Sequence, residues 1–456
     1  MVFLKKEFYI PIISLIIGII TSTLIWDYLR LDYENDQEIY GEYSLNSHHS
    51  LNDTLRYIFF ISFPLFLFFL SFFLIKKNSI YKSFSLEIFS LNFKLSNSKK
   101  KNKKNLLFLI LITSILFILN SFNFGLVDLF EDGISLSGST LFEYEFIPWV
   151  DVYINTGFIF DMALAKMSWI LTGVKSIGSF IFLKQFLNFL TIILFIYFFY
   201  EISKSFQDQL ISKNFFLITS LFLLSILDGV NIWRDLPLII FLISILKFIN
   251  CKKNYLILII CFLSIFTFFW SLDRGFFIFF LFIAFLIFIL INDKKEFLKF
   301  LITIFLIFLL LIIIIDKDIV KNFYLHSQDI FLNHEKLNGL IHPTPFSKDE
   351  HSTRATKSLL LIMFNILISS LFILRKKSFF ENKIKFIFLF FSIMNFLIYK
   401  SALSRSDGPH IKEATYLTII LFLSFLIFFL IKSFLKKKWF MQNQKKIKYT
   451  YIIIFL

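Results

Sequence analysis

Nothing in this sequence constrains its fold as much as its succession of long apolar runs. About twelve stretches approach the roughly 20 residues that a helix needs to cross a bilayer core. They lie at 8–26, 57–75, 106–124, 183–200, 215–230, 236–250, 255–270, 276–292, 299–315, 358–374, 385–400 and 416–434. The chain is 57% hydrophobic, holds 69 phenylalanines in 456 residues and has a mean hydropathy of +0.76, outside the range of soluble domains. These features predict an all-α polytopic membrane protein of about 12 transmembrane helices, with an interfacial helix in the outer loop after the third span.

The connecting segments predict the orientation. Those after the second, fourth, sixth, eighth, tenth and twelfth runs include "SKKKNKK", "SKSFQDQLISK", "CKKN", "NDKKEFLK", "RKKSFFENKIK" and "KKKWFMQNQKKIK". Basic segments stay cytoplasmic, so these loops and both termini are expected inside. They absorb the net charge of +15, which removes the case for a nucleic-acid partner. The alternate loops then face out, and they hold all 7 histidines. Bulky Trp26 and Tyr28 stand where signal cleavage needs small residues, so the first run is read as a retained helix. Cys251 and Cys261 have neither the number nor the spacing of a disulfide framework or zinc site. Residues 1–105 form an N-terminal two-span hairpin with a basic loop, 106–435 the main transmembrane domain, and 436–456 a basic tail.

The outer loops carry the chemistry. In "DLFEDGISLSG", Asp128, Glu131 and Asp132 share one face if the third span continues as a helix, with Gly133 ending it. Three anions at a helix C-terminus oppose its dipole and repel one another. Water can absorb that at an exposed interface; beside lipid they need an Arg or a divalent cation, Mg2+ or Mn2+, held by Glu131 and Asp132. The continuation "PWVDVYINTG" adds Asp151. Further along, "IWRDLP" supplies Arg234 and Asp235, "SLDRG" Asp273 and Arg274, and "SRSDGPH" Arg405, Asp407 and His410. Each pairs a guanidinium with a carboxylate, read either as a local ion pair or as a phosphate-binding element. The 316–357 loop, with Arg354 and four histidines, is read as a polar cap over a cavity or an acceptor-binding element. No Walker, dinucleotide or Ser-His-Asp signature occurs.

The layout "D-x-x-E-D-G-x-x-L", then "P-W-x-D-x-Y-x-x-x-G", then an apolar stretch ending "L-T-G-V-K-S-I-G", resembles the first outer loop of the GT-C superfamily of membrane glycosyltransferases. The resemblance covers roughly residues 106–200 and reaches the later spans by topology alone; that family usually places this loop after one span, whereas here two precede it. It implies a polyprenyl-phosphate sugar donor, a glycan, lipid or protein acceptor, and reaction at the outer face of a bacterial inner membrane. Glu131 and Asp132 match its acidic pair; Asp128 and Asp151 match acidic positions of relatives with this loop. Asp128, Glu131 and Asp132 are accordingly the candidate catalytic residues, with Asp151, Arg234, Asp235, Asp273, Arg274, Arg405, Asp407 and His410 as substrate-binding candidates. A polysaccharide polymerase or ligase acting on lipid pyrophosphate is an alternative that fits Arg354, Arg405 and His410. A transporter or flippase fits less well, because the charges collect at one face and not at mid-span.

Overall fold

The structure, a computed structural model, describes residues 9–35, 38, 40–75, 103–121, 127, 131–204, 209–226, 232–374 and 382–436. Asp128, the lysines at 99–101 and the tail beyond 436 lie outside the described residues. The chain runs through α1 (Tyr9–Ile25), the one-turn α2 (Glu42–Leu45), α3 (Asn52–Ile75), α4 (Lys103–Ser121), α5 (Glu131–Glu143), α6 (Leu164–Thr172) and α7 (Ile177–Ser203). It continues through α8 (Gln209–Ile226), α9 (Leu236–Cys251), α10 (Asn254–Trp270), α11 (Leu272–Asn292) and α12 (Lys294–Ile314). Last come α13 (Lys317–Asn338), α14 (Ser352–Leu374), α15 (Asn382–Ile398), the short α16 (Lys400–Ser404) and α17 (Gly408–Lys436).

Among the described residues every apolar run falls on a helix, yet only 8 of these helices are long and apolar enough to cross a membrane. These are α1, α3, α7, α11, α12, α14, α15 continued into α16, and α17. The apolar parts of α4 and α8 are shorter, and α9 and α10 have 16 and 17 residues. At about 1.5 Å per residue the last two fall short of a roughly 30 Å hydrocarbon core. An apolar run signals burial without saying in what. α9 is buried around most of its circumference by protein, whereas only 11% of the apolar window of α12 is buried, leaving the rest for lipid.

Ion pairs mark the two ends of the bundle. Asp235 and Arg274 join the N-terminal ends of α9 and α11 at 2.6 Å, and Lys252 joins Asp293 beyond their C-terminal ends at 2.6 Å. α9 and α11 are therefore parallel, and 16 residues of helix put these ends about 24 Å apart. The segments expected outside gather at the Asp235 end: Leu272 N–H donates to the Thr156 carbonyl at 2.6 Å, and the Tyr416 hydroxyl to Asp235.

Phenylalanines fill the larger core, where Phe248, Phe285 and Phe300 meet edge to face with centroids 5.1–6.1 Å apart. Such quadrupole-matched contacts pack without polar partners. The N-terminal hairpin has a second core, which it shares with α14, α16 and α17: Phe60, Phe68, Leu359, Met363, Leu403 and Ile411 are all buried there. Gly18 lets α1 close on α3, because a Cβ would come within 2.6 Å of the Pro64 Cα.

Candidate functional site

The expected continuation of the third span through the acidic cluster does not occur. α4 is described to Ser121, Val127 is not helical, and Glu131 is the first described residue of a new helix, α5, with Gly133 inside it. Glu131 and Asp132 thus stand in a first turn, where carboxylates complement the helix dipole. α5 lies flat on the following segment through small residues: the Ser135 and Ser139 hydroxyls donate to the Phe160 and Met162 carbonyls at 2.6 and 2.8 Å, and Gly138 leaves room for the Asp161 carbonyl between them. Asp132, buried, forms an ion pair with Lys184 of α7. Glu131 is exposed.

The next link is Asp161, in a π-helical turn, Ile159–Ala163, of the kind that recurs at functional sites. Its Oδ2 accepts the N–H groups of Asn155 and Thr156, both at 2.8 Å, while the buried Oδ1 has no hydrogen-bond partner among the described residues. Burial pushes this carboxyl above its ordinary value despite those hydrogen bonds. The turn held in this way includes Gly157 at φ +153, whose Cβ would sit 2.8 Å from the Ser271 Cα. Asp161 thereby sets where α11 begins.

At that start the two Arg-Asp stretches pair across loops. Arg274 Nε donates to Asp235 Oδ1 at 2.6 Å and its Nη1 to Asp273 Oδ2 at 2.5 Å; Arg234 Nη2 reaches Ser271 Oγ at 3.0 Å and Asp273 Oδ1 at 3.2 Å. Arg234 and Asp235, adjacent in sequence, therefore serve different partners. Asn188 of α7 presents them by accepting the Ile232 and Trp233 N–H groups at 3.0 and 2.8 Å. Gly275 lets α10 and α11 close, since a Cβ would come within 2.7 Å of Phe268. Arg274 is spent on carboxylates; Arg234 sits over the Phe160 ring at 5.3 Å and keeps a buried Nε without a partner among the described residues.

Glu413, which the sequence reading passed over as the edge of the last span, joins these groups. The charges that act on it are Arg234, Arg274, His410 and Glu131, from four separate segments. Arg234, Arg274, His410 and Glu131 therefore all lie within electrostatic reach of Glu413, at the Asp235 end of the bundle. Arg405 is linked to His410 through Asp407, whereas Asp151 Oδ2 accepts the Ile147 N–H at 2.8 Å within its own turn.

"SRSDGPH" proves to be a helix cap. Asp407 Oδ1 accepts the His410 N–H at 3.0 Å and lies 2.6 Å from His410 Nδ1, while Oδ2 accepts from Arg405 Nε at 3.1 Å. This is N-cap geometry with Pro in the first turn of α17. Burial opposes ionisation of Asp407, but the His410 hydrogen bonds and the Arg405 charge outweigh it and hold the carboxyl below its ordinary value.

The acidic pair does not fit a divalent cation as the chain arranges it. Asp132 is neutralised by Lys184, and among the described residues no three His, Cys, Asp or Glu side chains are grouped to hold a metal. The 316–357 segment is mostly the amphipathic α13, with Phe323 packed on Trp149 at 5.4 Å. Lys184 had a sequence signal, a lone cation in an apolar run; the cross-pairing and Glu413 had none.

A search of protein-family models, curated proteins and solved structures finds no match to this chain.

Proposed function

We propose that the protein is a GT-C-like transferase that moves a sugar from a polyprenyl-phosphate donor to an acceptor hydroxyl at the outer face of a bacterial inner membrane, with both termini cytoplasmic. The observation that carries this reading is the cross-paired network of Arg234, Asp273, Arg274 and Asp235 at one end of an apolar bundle, with Glu413 within electrostatic reach of Glu131, Arg234, Arg274 and His410. Transfer at a lipid surface needs a base and a cation together, and this region offers both.

On this reading the acceptor oxygen bonds to the anomeric carbon as the bond from that carbon to the phosphate oxygen breaks. Glu131, exposed on the first turn of α5, takes the hydroxyl proton. The lipid phosphate leaves with the bonding electrons, and Arg234, with donors unspent, meets its charge. Asp235, Asp273 and Arg274 hold Arg234 in place, and Asp132 with Lys184 fixes the start of α5. No step passes through a metal.

The test is release of polyprenyl phosphate from a panel of polyprenyl-phosphate sugars by the full chain in proteoliposomes, supplied with an extract of envelope acceptors. The wild type should release it from at least one donor, and Arg234→Ala should slow that release about 100-fold or more, as for loss of an oxyanion-type donor. Release from no donor, or undiminished release by the variant, contradicts the reading. The ligase alternative draws on one observation, that Arg354 and His351 pack against Gly408 beside Arg405. The carboxylates around that place make it a poor seat for pyrophosphate.

A further inference from the structure

A second polar site lies at the outer end, between the N-terminal hairpin and the 405–410 turn. Its hub is Asp53, 1% exposed, which accepts from the Tyr43 hydroxyl at 3.0 Å, His48 Nε2 at 3.2 Å and the His342 N–H at 2.9 Å. Tyr43 also donates to the Leu403 carbonyl at 3.0 Å, and His342 Nε2 lies 3.0 Å from the Tyr399 hydroxyl. This network ties three outer segments together and builds one wall of a cleft of about 430 Å³.

The lining sets two opposite demands. Asp27, Glu42, Asp349, Glu350 and Asp407 surround the cleft with acceptors. Arg56 also lines it, although its residue is only 6% exposed. Its Nε is spent on the Leu29 carbonyl at 3.1 Å, Nη1 stands 3.6 Å from Asp53, beyond hydrogen-bond range, and Nη2 has no partner among the described residues. Its unspent Nη N–H groups line the cleft and offer donors to an oxygen of whatever occupies it. A simple cation satisfies the carboxylates and is repelled by Arg56. A polyanion satisfies Arg56 and is repelled by the rim. A hydroxyl group donates and accepts, so a compact array of hydroxyls meets both demands.

We infer that this cleft is a saccharide-binding site for neutral sugar units, with Arg56 as its anchor and the carboxylates taking hydroxyl protons in hydrogen bonds. It adjoins the Glu131–Glu413 region through Asp407, whose Oδ1 lies 2.6 Å from His410 Nδ1, and binding there does not require the transferase reading to hold. If both hold, the cleft is where a glycan acceptor docks.

The experiment is saturation-transfer NMR on the full chain in nanodiscs, without donor, with maltotetraose, cellotetraose, chitotetraose, tetragalacturonate and spermine as probes. At least one neutral tetrasaccharide should bind, in preference to tetragalacturonate and spermine. Arg56→Gln should weaken that binding about tenfold, the effect of roughly 1.4 kcal/mol. Because Arg56 also braces Leu29, a second variant, Asp27→Ala with Glu350→Ala, changes exposed rim residues alone and should weaken binding at least threefold at unchanged melting temperature. No signal from any neutral probe, preference for the anion or the polyamine, or binding unmoved by the rim variant overturns the proposal. The polyprenyl-phosphate release assay reports separately on the transferase reading.

Discussion

Asp235 and Asp53 are each 1% exposed at the same end of the molecule, yet they are held by different partners. Asp235 meets a guanidinium directly, Arg274 Nε at 2.6 Å, within a chain of charges that continues to Asp273 and Arg234. Asp53 is held by a phenol, an imidazole and a backbone N–H, with its own guanidinium at arm's length. In the first region every charge depends on another, so removing one leaves a second buried and uncompensated. In the second, each hydrogen bond is one of several and its loss is local. Dense, interdependent charge suits a place where charge develops during a reaction; shared neutral donors suit a clasp between loops.

The largest effect expected from this contrast is at Arg274. Arg274→Ala leaves Asp235 and Asp273 facing each other without their shared cation and should cost about 3–5 kcal/mol, read as a fall in melting temperature in detergent. Asp53→Asn keeps a carbonyl acceptor for Tyr43 or His342 but loses the rest, and should cost about 1–3 kcal/mol. Equal losses at the two sites would erase the distinction between them.

A smaller, pH-dependent effect belongs to the clasp. Burial holds the His342 imidazole below its ordinary value, with Asp53 opposing and Arg56 reinforcing that shift; the Tyr399 hydroxyl and Trp26 ring also face it. Below about pH 6.5 the unfolded chain binds a proton that the folded chain refuses, so stability falls as pH drops, by at most about 1.4 kcal/mol per unit from this group. His342→Gln should flatten the melting-temperature profile between about pH 5 and 6.5. An unchanged slope would place the titration elsewhere.

The helices were legible in the sequence because an uninterrupted apolar run has one meaning for the backbone. How far each helix reaches was less legible: α9 reads as a span by composition, while the structure wraps it in protein. At the candidate site, residue types were legible and partners were not. Arg234 and Asp235 look like a local pair, but the helix start at Leu272 brings Asp273 to Arg234 and Arg274 to Asp235. The acids of "FEDG" read as the end of one helix and form the beginning of another, which reverses the sign of their interaction with the dipole. Glu413 lies a turn before the apolar run of α17 gathers strength, and only its nearness in the fold to charges from other segments, Arg234, Arg274 and Glu131, gives it meaning.

The account's central claim is that reactivity resides with Glu131 and cohesion with Asp53, and one paired measurement tests it most directly. The rate of polyprenyl-phosphate release per folded molecule should be compared in Glu131→Gln and Asp53→Asn, with melting temperature recorded for both. Glu131→Gln should lose about 100-fold or more in rate, as expected for removal of a general base, at unchanged melting temperature. Asp53→Asn should melt earlier and keep its rate. A Glu131→Gln protein that releases polyprenyl phosphate as fast as the wild type would contradict the account.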